Sequence, residues 1–172
     1  MVADNINDVG LVRRWRFFGP ADILEPLQGI FAVQYYYLSL GLRLCAIGSR
    51  YSILVQQEAS NVAHSEWQVE MPAWVFNQIL SHNPGALNIE KIRSRLILDG
   101  NDTLDVDIFT GACAGLILIK KEFKSTEEAA AFTLPYWLHD YSQEVTQYSE
   151  FTSYQLAKAG KIPIITIGAD SL

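Results

Sequence analysis

The sequence predicts a mainly β, α+β domain of about seven or eight strands, mostly antiparallel, with three short helices. Three observations carry this reading. Period-2 alternation of side chains recurs along most of the centre of the chain. Turn pairs such as Gly48-Ser49 and Asp99-Gly100 separate adjacent strand-like runs. Helical spacing is confined to three short stretches.

Taken in order, residues 11–18 alternate Val12, Arg14 and Arg16 with Leu11, Arg13, Trp15 and Phe17, and Gly19-Pro20 ends the run. Neither face is wholly aliphatic, so one face is solvated or lines a polar cavity. Residues 29–38 are aromatic and β-branched, which favours a strand. Residues 41–47 and 51–57 form a predicted hairpin around Gly48-Ser49, and 64–70 alternate again. At Pro72 the period changes to helical and holds to Ser81, before the Asn83-Pro84-Gly85 break. Strands follow over 91–98, 103–109 and 115–123. Ser125-Thr126-Glu127-Glu128 is a capping box opening an Ala-rich helix. A last helix spans 151–159 and closes at Gly160. A sheet of this size with polar residues alternating inward suggests a barrel with a polar interior, and an open sheet with one solvated face competes with it.

Composition narrows the function classes. The chain has 172 residues, 13 Lys+Arg against 19 Asp+Glu and a formal charge of -6. An acidic balance opposes general electrostatic binding to nucleic acid or an anionic membrane. No apolar run reaches a spanning length. The acidic, polar start is no secretory signal, so the expected setting is the cytoplasm. Residues 1–10 are expected to be a disordered N-terminus and 11–172 a single domain. Two cysteines, Cys45 and Cys113, exclude a disulfide framework, and three scattered histidines give no zinc spacing. Neither a P-loop nor a serine-hydrolase elbow is present.

The C-terminal half carries an ordered set of motifs. TLDVDIFTG at 103–111 precedes GLILIKKEF at 115–123, then STEEAAAF, LPYWL and Glu144-Val145-Thr146. Upstream lie LQGIF, GLRLCAIGSRYSILVQQ and Lys91-Ile92-Arg93. This order resembles the CYTH family, the triphosphate tunnel metalloenzymes, over about residues 11–160. The resemblance implies an eight-stranded antiparallel β-barrel, the triphosphate tunnel, flanked by short helices. It also implies basic residues that hold a triphosphate and glutamates that hold Mg²⁺ or Mn²⁺.

The departures from the family pattern are numerous. Its opening E-x-E-x-K falls on Val12, Arg14 and Arg16. Its Arg before Q-G is Leu27, its second R-x-R arginine is Cys45, and its strand Lys is Gln56 or Gln57. Its paired E-x-E is Glu66 and Gln68. Asp105 and Asp107 keep the acidic strand, while Lys120 replaces the first Glu of L-V-E-V-E-F and Glu122 keeps the second. A cation on a metal wall repels the ion by several kcal/mol at an effective dielectric near 20.

The reading drawn from these residues is a degenerate tunnel with most of its metal site lost and no assigned catalytic residue. Its expected ligand-binding set is Arg14, Arg16, Arg43, Arg93, Lys91, Lys120, Glu66, Asp105, Asp107 and Glu122. The ligand is an anionic or organic small molecule, or the barrel is a scaffold for an unidentified protein, with Trp15, Tyr35, Tyr36, Tyr37, Trp67 and Trp74 as candidate contact residues. A homodimer belongs among these expectations; nucleic acid and membrane do not. No cofactor is expected under this reading. The alternative is a residual triphosphatase, acting on inorganic or organic triphosphate, with Mg or Mn on Glu66, Asp105, Asp107 and Glu122; an enzyme with repurposed tunnel chemistry is a third reading.

Overall fold

The computed structural model describes residues 10–25, 27–58 and 63–165. The expected disordered N-terminus lies outside them except for Gly10, which begins a strand. Nine strands occur among the described residues: β1 (Gly10–Phe17), β2 (Gln28–Ser39), β3 (Leu42–Ile47), β4 (Arg50–Glu58), β5 (Ala63–Met71), β6 (Leu87–Ile97), β7 (Thr103–Phe109), β8 (Ile117–Phe123) and β9 (Ser142–Glu144). Helices α1 (Ala73–Ser81), α2 (Thr126–Ala131), α3 (Tyr136–His139) and α4 (Ser153–Ala159) accompany them.

The predicted turns and caps appear where the local chemistry demands them. β3 and β4 pair up to Ile47↔Arg50, and Gly48 between them takes φ 57°, which suits glycine. Ser125 caps α2 by accepting the Glu128 amide, while Glu128 accepts the Lys124 amide. Thr152 caps α4, and Gly160 ends it at φ 61°. The predicted last helix divides into a 3-10 turn at Ser149–Phe151 and α4.

All strand pairs are antiparallel, in the order β5-β4-β3-β2-β6-β7-β8-β1-β9. The sheet curls until β1 meets β5, where among the described residues only Gly10↔His64 and Leu11↔Ala63 join them. Further along, the same edge of β1 pairs with β9 instead, through Trp15↔Glu144 to Phe17↔Ser142. The expected eight-stranded barrel is therefore a curled sheet whose seam is held at one end, not a closed barrel. The three-residue β9 takes the edge that closure would need.

The apolar core is divided between the outer face of the curl and its interior. Trp15, Phe17, Leu96, Leu104, Val106 and Ile119 pack beneath Leu134 and Leu138 on the outer face of β6–β7–β8–β1. Phe76 of α1 covers Leu44 and Ala46. A third cluster seals one end inside, where Phe151 and Leu156 meet Val33, Tyr35, Tyr37 and Phe109. Trp15, Tyr35 and Tyr37 are thus core residues, whereas Trp67 and Trp74 are exposed. Both cysteines are free and buried.

Gly41 tests this packing. A Cβ there would lie 2.7 Å from the Gln56 carbonyl oxygen, a backbone atom that cannot swing away. Gly41→Ala is expected to lower stability by about 1–3 kcal/mol in urea denaturation. Gly85, with no atom near its Cβ position, serves as the control; Gly85→Ala changes stability by less than about 0.5 kcal/mol.

Candidate functional site: a cation-lined tunnel

The inner face of the curl carries the charged residues because alternation sends their neighbours to the outer core. Even-numbered positions of β1 face inward, so Val12 and Arg14 line the cavity while Trp15 and Phe17 pack outside. β8 adds Leu118, Lys120 and Glu122. β7 adds Asp107 and Phe109, β6 adds Arg93, β3 adds Arg43 and Cys45, and β5 adds Glu66. The cavity measures about 200 Å³. Thr152, Ser153 and Tyr154, at the start of α4, line its sealed end, and the Tyr154 ring meets Tyr37 edge-on at 5.2 Å.

Asp107 is the centre of this wall. It is fully buried. Lys91 Nζ donates to its Oδ2 at 2.8 Å, and Arg93 donates through Nε to Oδ1 at 2.7 Å and through Nη2 to Oδ2 at 3.0 Å. Lys120 Nζ stands 3.4 Å from Oδ2. Burial alone would raise the Asp107 carboxyl; Lys91, Lys120 and Arg93 overcome that and hold it well below the usual carboxylate range. The cations feel the same burial. It pushes the Lys91 ammonium down to about 8, against the pull of Asp107. Burial and the neighbouring Arg93 push Lys120 down to about 7.

Arg43 is held differently. Its guanidinium lies over the Tyr35 ring at 4.3 Å and donates through Nη1 to Tyr37 Oη and Gln56 Oε1, each at 3.3 Å. Glu66 is 3.7 Å away and half-exposed. Arg43 Nε is buried and has no hydrogen-bond partner in the structure. An orphaned buried donor facing a cavity is unusual and points to a missing acceptor. Cys45 also lines the cavity, and burial pushes its thiol up, away from reactivity.

Seven of the ten residues expected from the sequence meet on this cavity: Arg14, Arg43, Arg93, Lys120, Glu66, Asp107 and Glu122. Lys91 is buried behind them, between Asp107 and Ser153 Oγ at 3.4 Å. Arg16 turns away to stack on Phe18 at 4.7 Å and donates to the Pro163 carbonyl at 3.3 Å. Asp105 pairs with Arg95 at 3.6 Å and does not line the cavity. Leu27 joins the outer core. Sequence reasoning missed Tyr35 and Tyr37 as partners of Arg43, although the alternation of 35 and 37 against 36 was available. It also missed the α4 residues of the sealed end.

A larger groove of about 660 Å³ lies outside the sheet between Ile97 and Tyr136. Among the described residues its lining carries Asp99 and Asp102 and no Lys or Arg.

A curled antiparallel sheet with a cation-lined inner face is the class that fold and site define. No protein-family model matches the sequence. The chain is 27% identical over 119 residues to an inorganic triphosphatase of Nitrosomonas europaea, covering 69% of this chain and 76% of that one. The solved structure of the inorganic triphosphatase NE1496 superposes with a TM-score of 0.63 at 24% identity, covering 90% of this chain and 97% of that one. The Hippeastrum adenylyl cyclase HpAC1, described with a dominant triphosphatase activity, superposes at 0.66 with 12% identity over 90% of this chain and 97% of that one. These likenesses in sequence and fold fit the resemblance to the CYTH, or triphosphate tunnel, proteins that the motifs suggest.

This likeness corrects the expectation that no cofactor is involved. The sequence-similar protein is a triphosphatase, and enzymes that cleave phosphate chains commonly use a divalent ion to neutralise developing charge. The residues present do not, by themselves, form a centre for such an ion. Among the described residues no three His, Cys, Asp or Glu converge. Asp107 is taken up by three cations and Asp105 by Arg95, which leaves Glu66 and Glu122 as the other carboxylates on the cavity wall. Among the described residues no helix is long and apolar enough to cross a membrane.

Asp107 and Asp105 separate structural from peripheral charge. Asp107→Asn leaves three cations without their buried anion and is expected to cost about 3–5 kcal/mol in denaturant unfolding. Asp105→Asn, which breaks a longer and partly exposed pair, costs less than about 1 kcal/mol.

Proposed function

We propose that the tunnel binds inorganic triphosphate. The observation that carries this reading is the cavity wall. Arg14, Arg43, Arg93 and Lys120, with Lys91 behind them, outnumber the carboxylates Glu66, Asp107 and Glu122, and a buried Arg43 Nε has no acceptor. Guanidinium forks suit phosphate oxygens and remain charged when buried. Size supports a small linear anion over a nucleotide: about 200 Å³ falls below the roughly 300–1,000 Å³ typical of sites for drug-sized ligands.

The chain's own residues act as binding and orienting groups. Arg43, fixed over Tyr35, presents its donors from one wall. Arg93 is set by two bonds to Asp107, so its remaining donor capacity has a fixed direction. α4 seals one end and excludes water there.

A second reading, hydrolysis of the bound anion, is favoured by the similarity to an inorganic triphosphatase. It makes this chain a triphosphatase rather than a binding protein. Purified protein with tripolyphosphate distinguishes the two. Binding raises the thermal unfolding midpoint, by an amount worth about 2.7 kcal/mol at a hundredfold excess over the dissociation constant. Release of orthophosphate in Mg²⁺ or Mn²⁺ supports hydrolysis. A midpoint shift without release leaves the binding reading alone, and no shift removes both.

Binding also depends on pH. Lys120 gains its proton below about 7 and Lys91 below about 8, and an anion favours the charged forms. Tripolyphosphate affinity measured by calorimetry is expected to strengthen as pH falls from about 9 to about 6. An affinity that is flat or rises with pH contradicts the assigned role of the lysines.

A further inference from the structure

The outer groove between Ile97 and Tyr136 shares no lining residue with the tunnel and has its own chemistry. Two segments form it: the turn that joins β6 to β7, and the connection from α2 into α3. Leu134 and Leu138 are four residues apart and both buried in the outer core, which presses α3 onto the sheet. Tyr136, between them, is thrown outward and is 81% exposed. Trp137 and Leu98 are half-buried against the same core and line the groove above it.

The opposite turn brings two carboxylates to this groove. The Leu98 amide donates to the Asp102 carbonyl at 2.7 Å and closes the turn. Gly100 and Asn101 reverse the chain at φ 77° and 65°, a left-handed pair that glycine and asparagine accept. Asp99 and Asp102 flank that pair, and both line the groove. Asp102 accepts the Thr103 amide and the Lys121 ammonium, both through Oδ1. Asp99 has no hydrogen-bond or ion-pair partner among the described residues.

Charge and shape then choose the occupant. Carboxylates on the rim exceed cations even when Lys121 is counted. An aromatic face and a carboxylate both attract a cation, and both disfavour an anion. The chain's net charge of -6 acts in the same direction. Volume favours a small molecule, since about 660 Å³ lies within the roughly 300–1,000 Å³ of small-molecule sites. Exposed apolar residues scattered singly carry no meaning, but Ile97 and Tyr136, both exposed, border one concavity.

We infer that this groove is a binding site for a small organic cation with a flat, apolar body. The body lies against Tyr136 and Trp137, and the positive group faces Asp99 and Asp102. The inference goes beyond the triphosphate reading and does not depend on it.

Benzamidinium is the probe, a flat ring bearing a planar cation. Benzamide matches it in shape without charge, and benzoate carries the opposite charge. Each is titrated into the full chain while the tryptophan indole N–H signals are followed by NMR. The Trp137 signal is the one missing from Trp137→Phe. Benzamidinium is expected to shift that signal saturably and to bind about fivefold more tightly than benzamide, the scale of an exposed charge pair with a cation–π contact. Benzoate should leave the signal unmoved. Asp99→Asn should remove most of the preference for benzamidinium and leave benzamide binding unchanged, whereas Tyr136→Ala should weaken both. Both residues are exposed, so the variants fold, and their unfolding midpoints check this. Equal binding of benzamidinium and benzamide overturns the inference, as does a preference that survives Asp99→Asn unchanged. A Trp137 signal that no probe moves overturns it too. A signal that moves only with a peptide of alternating Trp and Arg assigns the groove to a protein segment and overturns the small-cation inference as well.

Discussion

Asp107 is the group on which the rest of the tunnel depends. A fully buried carboxylate is costly unless it is paired and hydrogen-bonded, and a buried lysine is costly for the same reason. Each makes the other tolerable here: Lys91, Arg93 and Lys120 surround one anion supplied from the strand between them. The arrangement ties β6, β7 and β8 together by side chains as well as by their ladders. It also fixes register. Arg93 pairs with Asp107 across β6 and β7, and a slip of one residue would send Asp107 into the outer core of Leu104 and Val106. Register and the charged tunnel wall are one constraint in this protein.

That constraint explains why the fold is organised from the outside. A small barrel normally fills its interior with side chains of the core. Here part of the interior is charged, so much of the hydrophobic stabilisation lies on the outer face and needs covering. α1 covers β3 and β4 through Phe76. The segment from α2 through α3 covers β6 to β1 with Leu134 and Leu138. Arg13 fastens this cover by donating to the carbonyls of Ala129 and Phe132 and to Glu144. The short helices therefore free the inner face for charge.

The strands were legible because alternation and turn chemistry are local. The positions of β1 to β8, the β3–β4 hairpin and the α2 cap all follow from residues near one another in sequence. The inward face was legible too, since Arg14, Lys120 and Glu122 share it with their apolar neighbours on the other side. What escaped depended on distant contacts. β9 has three residues and no periodicity, and its pairing with β1 keeps the seam from closing. Arg16 has the inward parity of Arg14, but it stands near the strand's end, where Phe18 and the Pro163 carbonyl draw it aside. Lys91 shares parity with Arg93, yet α4 packs over it and withdraws it from the lumen. The expectation of no cofactor had a different origin. It weighed the substitutions on one wall, whereas the similarity to a triphosphatase is carried by 119 residues.

The tunnel's cations differ in how their charge is compensated. A carboxylate partner stabilises a buried cation by cancelling part of its field, and here one carboxylate, Asp107, is shared among Lys91, Arg93 and Lys120. An aromatic face stabilises a cation without cancelling it, because the ring contributes a quadrupole and no net charge. Arg43 over Tyr35 is of this second kind; Glu66 is longer-range, at 3.7 Å, and half-exposed to water. Tyr37 reinforces the effect. Burial pushes its phenol up to about 12, so it remains neutral beside the guanidinium at any physiological pH. Arg43 thus keeps a nearly full charge and a free Nε donor in a partly desolvated cavity, where electrostatic attraction to an anion is strongest. The paired tyrosines of β2, by holding Arg43 without neutralising it, leave this wall of the tunnel with uncancelled positive charge rather than a closed salt-bridge network, which supports the proposed anion binding.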